Sequence, residues 1–181
     1  MIRAFVGIAI PPQVATRLAA AQLGLPAGRA VPPENFHITL AFLGEQPEPV
    51  IEDMHHALGS LRAPRFSLRI DGMDLFGGAQ PTILHARIAP DPALVHLRAK
   101  VLQAARHTGI QVRGGRYTPH VTLARLGNGL RAEDIAALHG FAAARAGLSS
   151  EPFEVEDFIL FRSRLGKQGP SYEALADYPL D

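Results

Sequence analysis

One pattern of eight residues occurs twice in this chain, as His37-Ile-Thr-Leu-Ala-Phe-Leu-Gly44 and as His120-Val-Thr-Leu-Ala-Arg-Leu-Gly127. Chance alone would give about 0.3 His-x-Thr triplets in a chain of this composition, and the two copies also share Leu, Ala, Leu and Gly at the same offsets. Each copy is an apolar run typical of a strand and ends at a glycine. The repeat therefore predicts two related β-strands, almost half the chain apart, each contributed by one of two related lobes.

The alternation of side chains along a strand places each histidine beside a threonine. Residues i and i+2 point to one face, so His37 lies with Thr39 and His120 lies with Thr122. Imidazole is the side chain best suited to move protons near neutral pH, and a threonine hydroxyl can donate to an anionic oxygen. Two such pairs suit the in-line cleavage of a phosphodiester, which needs a proton donor and a proton acceptor on opposite sides of phosphorus. The alternative is a pair of core strands whose His and Thr side chains make only structural hydrogen bonds.

The same alternation makes predictions for the later positions of each motif. Ala41 and Ala124 would share the face of the histidines and leave room for a ligand, whereas Phe42 would lie in the core. Strict alternation turns Arg125 away from the histidines, unless the strand bends or bulges near Gly127.

Helical and strand patterns alternate along the rest of the chain. The predicted helices are residues 11–22, 47–61, 91–107 and 131–144. The predicted strands are residues 5–10, 36–43, 65–75, 82–89, 119–126, 153–161 and 171–178, the second and fifth of which are the motif strands. This order favours the α+β class, with helices outside and the motif strands at a shared cleft.

Composition limits the class of protein. At 181 residues, residues 1–181 form one domain of ordinary size. The formal net charge of +1 argues against a polycation that coats nucleic acid, so local groups must bind any RNA. The absence of cysteine excludes disulfides and thiolate metal sites, and the apolar run at residues 5–10 is too short for a signal peptide or a membrane span. We therefore expect a cytoplasmic monomer with no membrane contact and no obligate protein partner.

The two motifs and their flanks resemble the two-histidine (2H) phosphoesterase superfamily, and in particular its bacterial and archaeal RNA 2',3'-cyclic phosphodiesterases, also called 2'-5' RNA ligases. The similarity extends over nearly the whole chain. It includes Asn35-Phe-His-Ile-Thr-Leu-Ala-Phe-Leu-Gly-Glu45, Tyr117-Thr-Pro-His-Val-Thr-Leu-Ala-Arg125 and the late segments at residues 160–165 and 169–172. The resemblance implies a bilobal α+β fold with two pseudo-twofold-related lobes, whose antiparallel sheets flank a central cleft.

The resemblance also implies an activity and a role for each motif residue. The reaction is metal-independent hydrolysis of a terminal 2',3'-cyclic phosphate to a 2'-phosphate, with no cofactor, on RNA ends or nucleotides. His37 would donate a proton to the departing 3' oxygen and His120 would activate water. Thr39 and Thr122 would hold the phosphoryl oxygens, and Arg125 would contact the substrate in spite of the alternation argument.

Other residues are weaker candidates. His85 lies on a predicted strand that could line the cleft and contact substrate. The adjacent His55 and His56 lie on a helix without a second ligand at i+4, so they do not predict a metal site. Two basic groups in predicted loops, Arg113-Gly-Gly-Arg116 and Arg162-Ser-Arg164 with Lys167, could hold RNA phosphates or could be ordinary solvated side chains.

Two alternative functions remain open at the level of sequence. One is a phosphodiesterase that acts on a small cyclic nucleotide or on a cyclic phosphate of ADP-ribose. The other is a non-catalytic nucleotide- or RNA-binding protein in which the motifs only bind phosphate. Intact His and Thr residues in both motifs argue against the second alternative, and the size of the substrate separates the first from an RNA enzyme.

Overall fold

The computed structural model describes residues 1–112, 114–166 and 169–181. The helices are α1 (Pro12–Ala21), α2 (Glu48–Gly59), α3 (Pro92–His107) and α4 (Ala132–Ala143), with a short 3₁₀ helix at Pro33–Asn35. The strands are β1 (Ile2–Ala9), β2 (Arg29–Ala30), β3 (His37–Gln46), β4 (Phe66–Leu68), β5 (Ile70–Phe76), β6 (Ile83–Ile88), β7 (His120–Arg125), β8 (Phe153–Val155), β9 (Asp157–Gly166) and β10 (Gly169–Pro179). The α+β class and the predicted helices are confirmed.

Local sequence explains where the helices begin. Helices α1, α2 and α3 each have a proline in the first turn, where the missing N–H would have no intrahelical partner. Helix α3 also has Asp91 as its N-cap, and the Asp91 carboxylate accepts from the backbone N–H of Leu94 at 3.0 Å. Each helix buries apolar side chains, as α2 does with Ile51, Met54 and Leu58. In the part of the chain described, no helix combines the length and apolar character needed to cross a membrane.

The main sheet is antiparallel and has the two motif strands side by side at its centre. Its order is β10-β9-β1-β3-β7-β6-β5, and the short strand β2 also pairs with β7. Strands β3 and β7 are joined by a single residue pair, Ile38 with Val121. In an antiparallel pair this register directs His37 toward Thr122 and Thr39 toward His120. Each histidine therefore faces the threonine of the other motif.

Three predicted strands differ from the structure. The segments predicted at 65–75 and 153–161 are each interrupted, because β4 and β8 leave the main sheet and pair with each other. The last strand, β10, is longer than predicted and forms a hairpin with β9, which pairs with β1. The final part of the chain thus extends the sheet on the side of the first motif. The assignment of residues 1–181 to one domain with two lobes stays a prediction.

Both motif strands contain the same β-bulge. In β3, Thr39 pairs with Gly7 and Ala41 pairs with Val6, so Leu40 has no partner opposite it. In β7, the residue pairs on either side of Leu123 show the same one-residue shift against β6. A bulge adds one residue to one strand and reverses the alternation beyond it.

The bulges overturn the face assignments made from strict alternation. Ala41 and Ala124 are core residues, 5% and 0% exposed, whereas Phe42 is 71% exposed. The predictions that Ala124 leaves room for a ligand and that Phe42 lies in the core are therefore wrong. Arg125 is exposed on the face of the histidines, and the cause is the bulge at Leu123 rather than a bend at Gly127. The burial class of all eight positions is the same in the two motifs.

Candidate active site

Each motif histidine forms a hydrogen bond with the backbone carbonyl two residues before it. His37 donates its Nδ1–H to the carbonyl oxygen of Asn35 at 2.7 Å, and His120 donates its Nδ1–H to the carbonyl oxygen of Thr118 at 2.8 Å. Because a carbonyl can only accept, the proton of each neutral ring lies on Nδ1. Nε2 of each ring is then the atom that can accept a proton or, once protonated, donate it.

Aromatic side chains fix the ring of His37. The Phe5 ring centre lies 4.6 Å from that of His37, and the Tyr172 ring meets His37 edge to face at 5.0 Å. The segment before His37 is also attached to β10, because the Asn35 side-chain amide donates to the carbonyl of Pro170 at 2.8 Å. The terminal hairpin therefore takes part in positioning the first motif, a contribution that the motif sequence alone does not indicate.

A second pair of rings lies against His120. Phe76 meets His120 edge to face at 4.9 Å, and His85 does so at 5.2 Å. His85 is 1% exposed and stacks on Phe76 at 3.8 Å. Neither ring nitrogen of His85 has a hydrogen-bond partner among the residues described. His85 is thus a buried neighbour of His120 and not a residue of the cleft surface.

Burial keeps these histidines neutral. The pKa of His37 is lowered to about 4, chiefly by burial and to a smaller extent by the charges of Arg125 and His120, against the opposing hydrogen bond to Asn35. Burial also lowers the pKa of His120 and lowers the pKa of His85 to about 4. The influence of Arg125 on His37 indicates that this guanidinium lies within electrostatic reach of the first motif. In the unliganded protein all three rings are neutral at pH 7.

Two cavities of similar size lie on either side of Phe42. The first, which we call the His120 cavity, has a volume of about 520 Å³ and includes Thr39, Arg98, Arg116, Tyr117 and His120 in its lining. The second, the Arg125 cavity, also has a volume of about 520 Å³. Its lining includes Arg3, Phe5, Arg125, Ser163 and Tyr172. Phe42 lines both cavities, so an exposed aromatic ring separates two spaces that meet at the motif strands.

The charge of both cavities is positive. No Asp or Glu of the described chain lines either one, and the ion pairs of the described residues lie elsewhere, at Arg65–Glu156, at Arg131 with Glu133 and Asp134, and at Arg164–Glu173. Within residues 1–112, 114–166 and 169–181, the four cavity arginines form no ion pair: Arg3, Arg98, Arg116 and Arg125. A protein whose net charge is only +1 therefore places these four arginines together in two neighbouring cavities.

Within the described chain, only some of the basic residues that the sequence suggested as phosphate contacts lie at the cavities. Arg116 lines the His120 cavity, whereas Arg164 pairs with Glu173 outside both cavities. Arg113 and Lys167 lie outside the described residues. Arg3 and Arg98 carry no motif signal, and only the fold brings them to the site.

The site offers no cluster of metal ligands in the portion of the chain that the structure describes, where no group of three or more His, Asp or Glu side chains could hold a metal ion. His55 on α2 instead forms a hydrogen bond with the Tyr178 hydroxyl at 2.9 Å. The two motif strands and the two cavities beside them bring together two imidazoles, two threonine hydroxyls and several guanidinium groups.

Solved structures show the class to which this fold belongs. A crystal structure of a phosphoesterase superposes with a TM-score of 0.80, at 22% identity over 99% of this chain and 98% of that chain. Escherichia coli LigT complexed with 3'-AMP gives a TM-score of 0.77 at 22% identity, over 99% of this chain and 98% of that one. TT0787 of Thermus thermophilus superposes with a TM-score of 0.78 at 24% identity, over 98% of this chain and 97% of that chain. This chain has the same fold as these three proteins.

Sequence comparison identifies the family. The sequence model of the 2'-5' RNA ligase superfamily matches residues 10–167. The RNA 2',3'-cyclic phosphodiesterase of Bacillus subtilis (strain 168) is 33% identical over 183 residues, with 97% of this chain and 95% of that protein covered. The protein of the same name from Geobacillus stearothermophilus is 32% identical over 88% of this chain, which spans about half of its length (50%). This chain belongs to the 2'-5' RNA ligase superfamily, and the resemblance found in its two motifs is confirmed.

Proposed function

We propose that this protein is an RNA 2',3'-cyclic phosphodiesterase, an enzyme that hydrolyses a terminal 2',3'-cyclic phosphate to a 2'-phosphate. The observation that carries the proposal is that two equivalent His–Thr pairs lie on adjacent antiparallel strands. In each pair, Nδ1 of the histidine forms a hydrogen bond with a backbone carbonyl. The name of the relatives from Bacillus subtilis and Geobacillus stearothermophilus supports the same activity.

In the proposed reaction the two histidines move one proton each. His120 Nε2 accepts a proton from water as the water oxygen attacks phosphorus. The bond from phosphorus to the 3' oxygen breaks, and protonated His37 donates to that oxygen, which leaves a 2'-phosphate. Thr39 and Thr122 donate to the phosphoryl oxygens, and Arg125 binds the substrate. Attack by a 5'-hydroxyl in place of water would form a 2'-5' linkage by the same transfers.

The low pKa of His37 is consistent with the role of an acid when substrate charge is included. A phosphodiester anion bound beside the ring favours the protonated form, because an opposite charge raises the pKa of an imidazole. The anion also offsets the charge of Arg125, one of the causes that lower the pKa of free His37. Protonation of the acid is then coupled to the binding of substrate.

The first test replaces each histidine. His37→Ala and His120→Ala are each expected to lower kcat by about 10²-fold or more, since general acid or base catalysis contributes about that much. The substrate is a short RNA that ends in a 2',3'-cyclic phosphate, and the assay contains excess EDTA because the two proton transfers need no metal. His139→Ala, at an exposed position of α4, is the matched control and is expected to keep normal activity.

Circular dichroism of the same variants separates catalysis from folding. If a variant keeps the native spectrum and near-normal kcat, that histidine is not catalytic. Loss of the native spectrum in both variants would favour core strands with structural histidines.

We further propose that the enzyme is a cytoplasmic monomer that acts on RNA ends without a protein partner. The absence of cysteine, which fits a reducing compartment, supports the location. Light scattering during size-exclusion chromatography tests the monomer, and a mass of twice the chain would contradict it.

A further inference from the structure

Arg98 lies in the wall of the His120 cavity and forms no ion pair with any described residue. Its guanidinium carbon lies 4.3 Å from the ring centre of Tyr117. Its Nε atom is buried and has no hydrogen-bond partner within the described chain, and the described residues provide no carboxylate for the group. A partly buried charge without a counter-charge is costly. A bound anion would offset that cost, so the arrangement indicates an anion site.

Tyr117 ties this cation to both motifs. The Tyr117 hydroxyl donates to the carbonyl oxygen of Thr39 at 3.0 Å, and Tyr117 precedes His120 by three residues. Burial raises the pKa of Tyr117, so its hydroxyl stays protonated and keeps donating. The guanidinium of Arg98 is therefore held in place relative to the two strands that bear the reacting groups. Such preorganisation lowers the entropic cost of binding a second group of the substrate.

The rest of the cavity fits a nucleotide phosphate. Its volume of about 520 Å³ falls within the usual range of small-molecule sites. Arg116 adds a second cation, and the apolar side chains of Leu40, Phe42 and Val112 line the remainder.

We propose, on the basis of the function proposed above, that the His120 cavity binds a second phosphate of the substrate through Arg98. In a nucleoside that bears a 2',3'-cyclic phosphate, the next phosphate along the molecule is attached to the 5' carbon. That phosphate is a monoester in a 5'-phosphorylated cyclic nucleotide and the internucleotide diester in an RNA end. Arg98 thus makes the enzyme distinguish substrates with a 5'-phosphoryl group from those without one.

The test compares three substrates that differ only at the 5' position: adenosine 2',3'-cyclic phosphate, its 5'-phosphorylated form, and a dinucleotide that ends in the same cyclic phosphate. Wild-type kcat/KM is expected to be higher for the second and third substrates by about tenfold or more, the effect of one hydrogen bond to a charged group. Arg98→Gln is expected to lose this preference, so that its kcat/KM is nearly the same for all three substrates. Arg106→Gln, at an exposed position of the same helix, is the matched control and is expected to keep the preference.

Each outcome has one meaning. Failure of the wild type on all three substrates contradicts the proposed function, whereas equal kcat/KM on all three, or a preference that survives in Arg98→Gln, contradicts the Arg98 site alone. A gain with the dinucleotide assigns the site to RNA ends, and a gain only with the 5'-monoester assigns it to phosphorylated nucleotides. Because Arg98 packs on Tyr117, Arg98→Lys serves as a second variant and is expected to keep part of the preference, since lysine keeps the charge but not the planar stack.

Discussion

Phe42 and Arg125 occupy the same position in the two motifs and make the site unequal on its two sides. The bulge brings each of them to the face of the histidines, where Phe42 is 71% exposed and Arg125 lines the second cavity. An aromatic ring in this position can stack on a base, and a guanidinium can bind a phosphate. The cation also acts on His37, whose pKa it helps to lower.

The influence of Arg125 predicts a shift in pH dependence. Arg125→Gln removes a cation near His37, so the pKa of His37 in the free enzyme is expected to rise. In the proposed mechanism one imidazole must be protonated and the other neutral, so kcat/KM is expected to follow a bell-shaped curve against pH. For the wild type, in which burial lowers the pKa of both histidines, the bell is expected to centre below pH 6.5. The variant bell should move to higher pH while its maximum falls.

Measurement of kcat/KM between pH 4 and 9 tests this prediction. The two limbs belong to a coupled pair, so the shift of the whole profile is compared rather than one assigned pKa. Arg17→Gln, at an exposed position of α1, is the control. A profile that falls in height without moving would mean that Arg125 binds substrate but does not act on His37.

Strand β1 approaches the first motif closely at Gly7. A Cβ atom built there would lie 2.9 Å from the carbonyl oxygen of Ile38 and 3.6 Å from Cδ2 of His37. Gly7→Ala is therefore expected to force β1 and β3 apart, to cost about 1–3 kcal/mol of stability as overpacking does, and to lower kcat. Urea unfolding and steady-state kinetics measure the two effects.

Gly140→Ala is the matched control for this substitution. Gly140 lies in α4 and a Cβ there meets nothing within 4 Å. The change is expected to be neutral or to stabilise the protein by up to about 1 kcal/mol, because alanine is the better helix former. Equal effects of the two substitutions on kcat would refute a special role for the close approach at Gly7.

The secondary-structure elements show how much of the fold can be predicted from sequence patterns. The helices and the motif strands follow from periodicity, proline positions and the repeat, and so do Thr39 and His120 in the lining of the His120 cavity. The bulges at Leu40 and Leu123 were missed because a bulge residue is apolar like its neighbours and changes only the register. The pairing of β4 with β8 and the docking of β10 were missed because contacts between distant segments leave no local signal. Arg98 was not predicted as a site residue for the same reason, because it lies on α3 and only the tertiary fold brings it to the site.

At the level of the whole molecule, buried histidines couple stability to acid. His37 and His85 have a pKa of about 4 in the folded protein, against an ordinary value near 6.5 in the unfolded chain. Below pH 6.5 the unfolded state binds more protons, so the free energy of unfolding is expected to fall as the pH decreases toward 4. Each histidine contributes up to about 3 kcal/mol to this loss, and above pH 6.5 its effect is absent.

His85→Leu isolates one part of that loss. The variant removes a titrating group whose ring nitrogens have no partner among the described residues, so its free energy of unfolding is expected to depend less on pH than that of the wild type. Urea titrations at pH 7 and pH 4.5 give the difference, with the exposed His139→Gln as control. A variant whose pH dependence equals that of the wild type would show that His85 is already neutral in the unfolded chain or charged in the folded one.

The repetition of the His-x-Thr motif affects which of the two bridging oxygens of a cyclic phosphate leaves. In the proposed reaction, two strands with the same order of exposed and buried positions present nearly the same groups to both bridging oxygens of the cyclic phosphate. Residues that differ between the copies must therefore distinguish the 2' oxygen from the 3' oxygen. Those are Arg125 in place of Phe42, and His85 opposite Thr122 where Gly7 lies opposite Thr39. The choice between a 2'-phosphate and a 3'-phosphate product is then a property of these unequal neighbours, and not of the residues that the two motifs share.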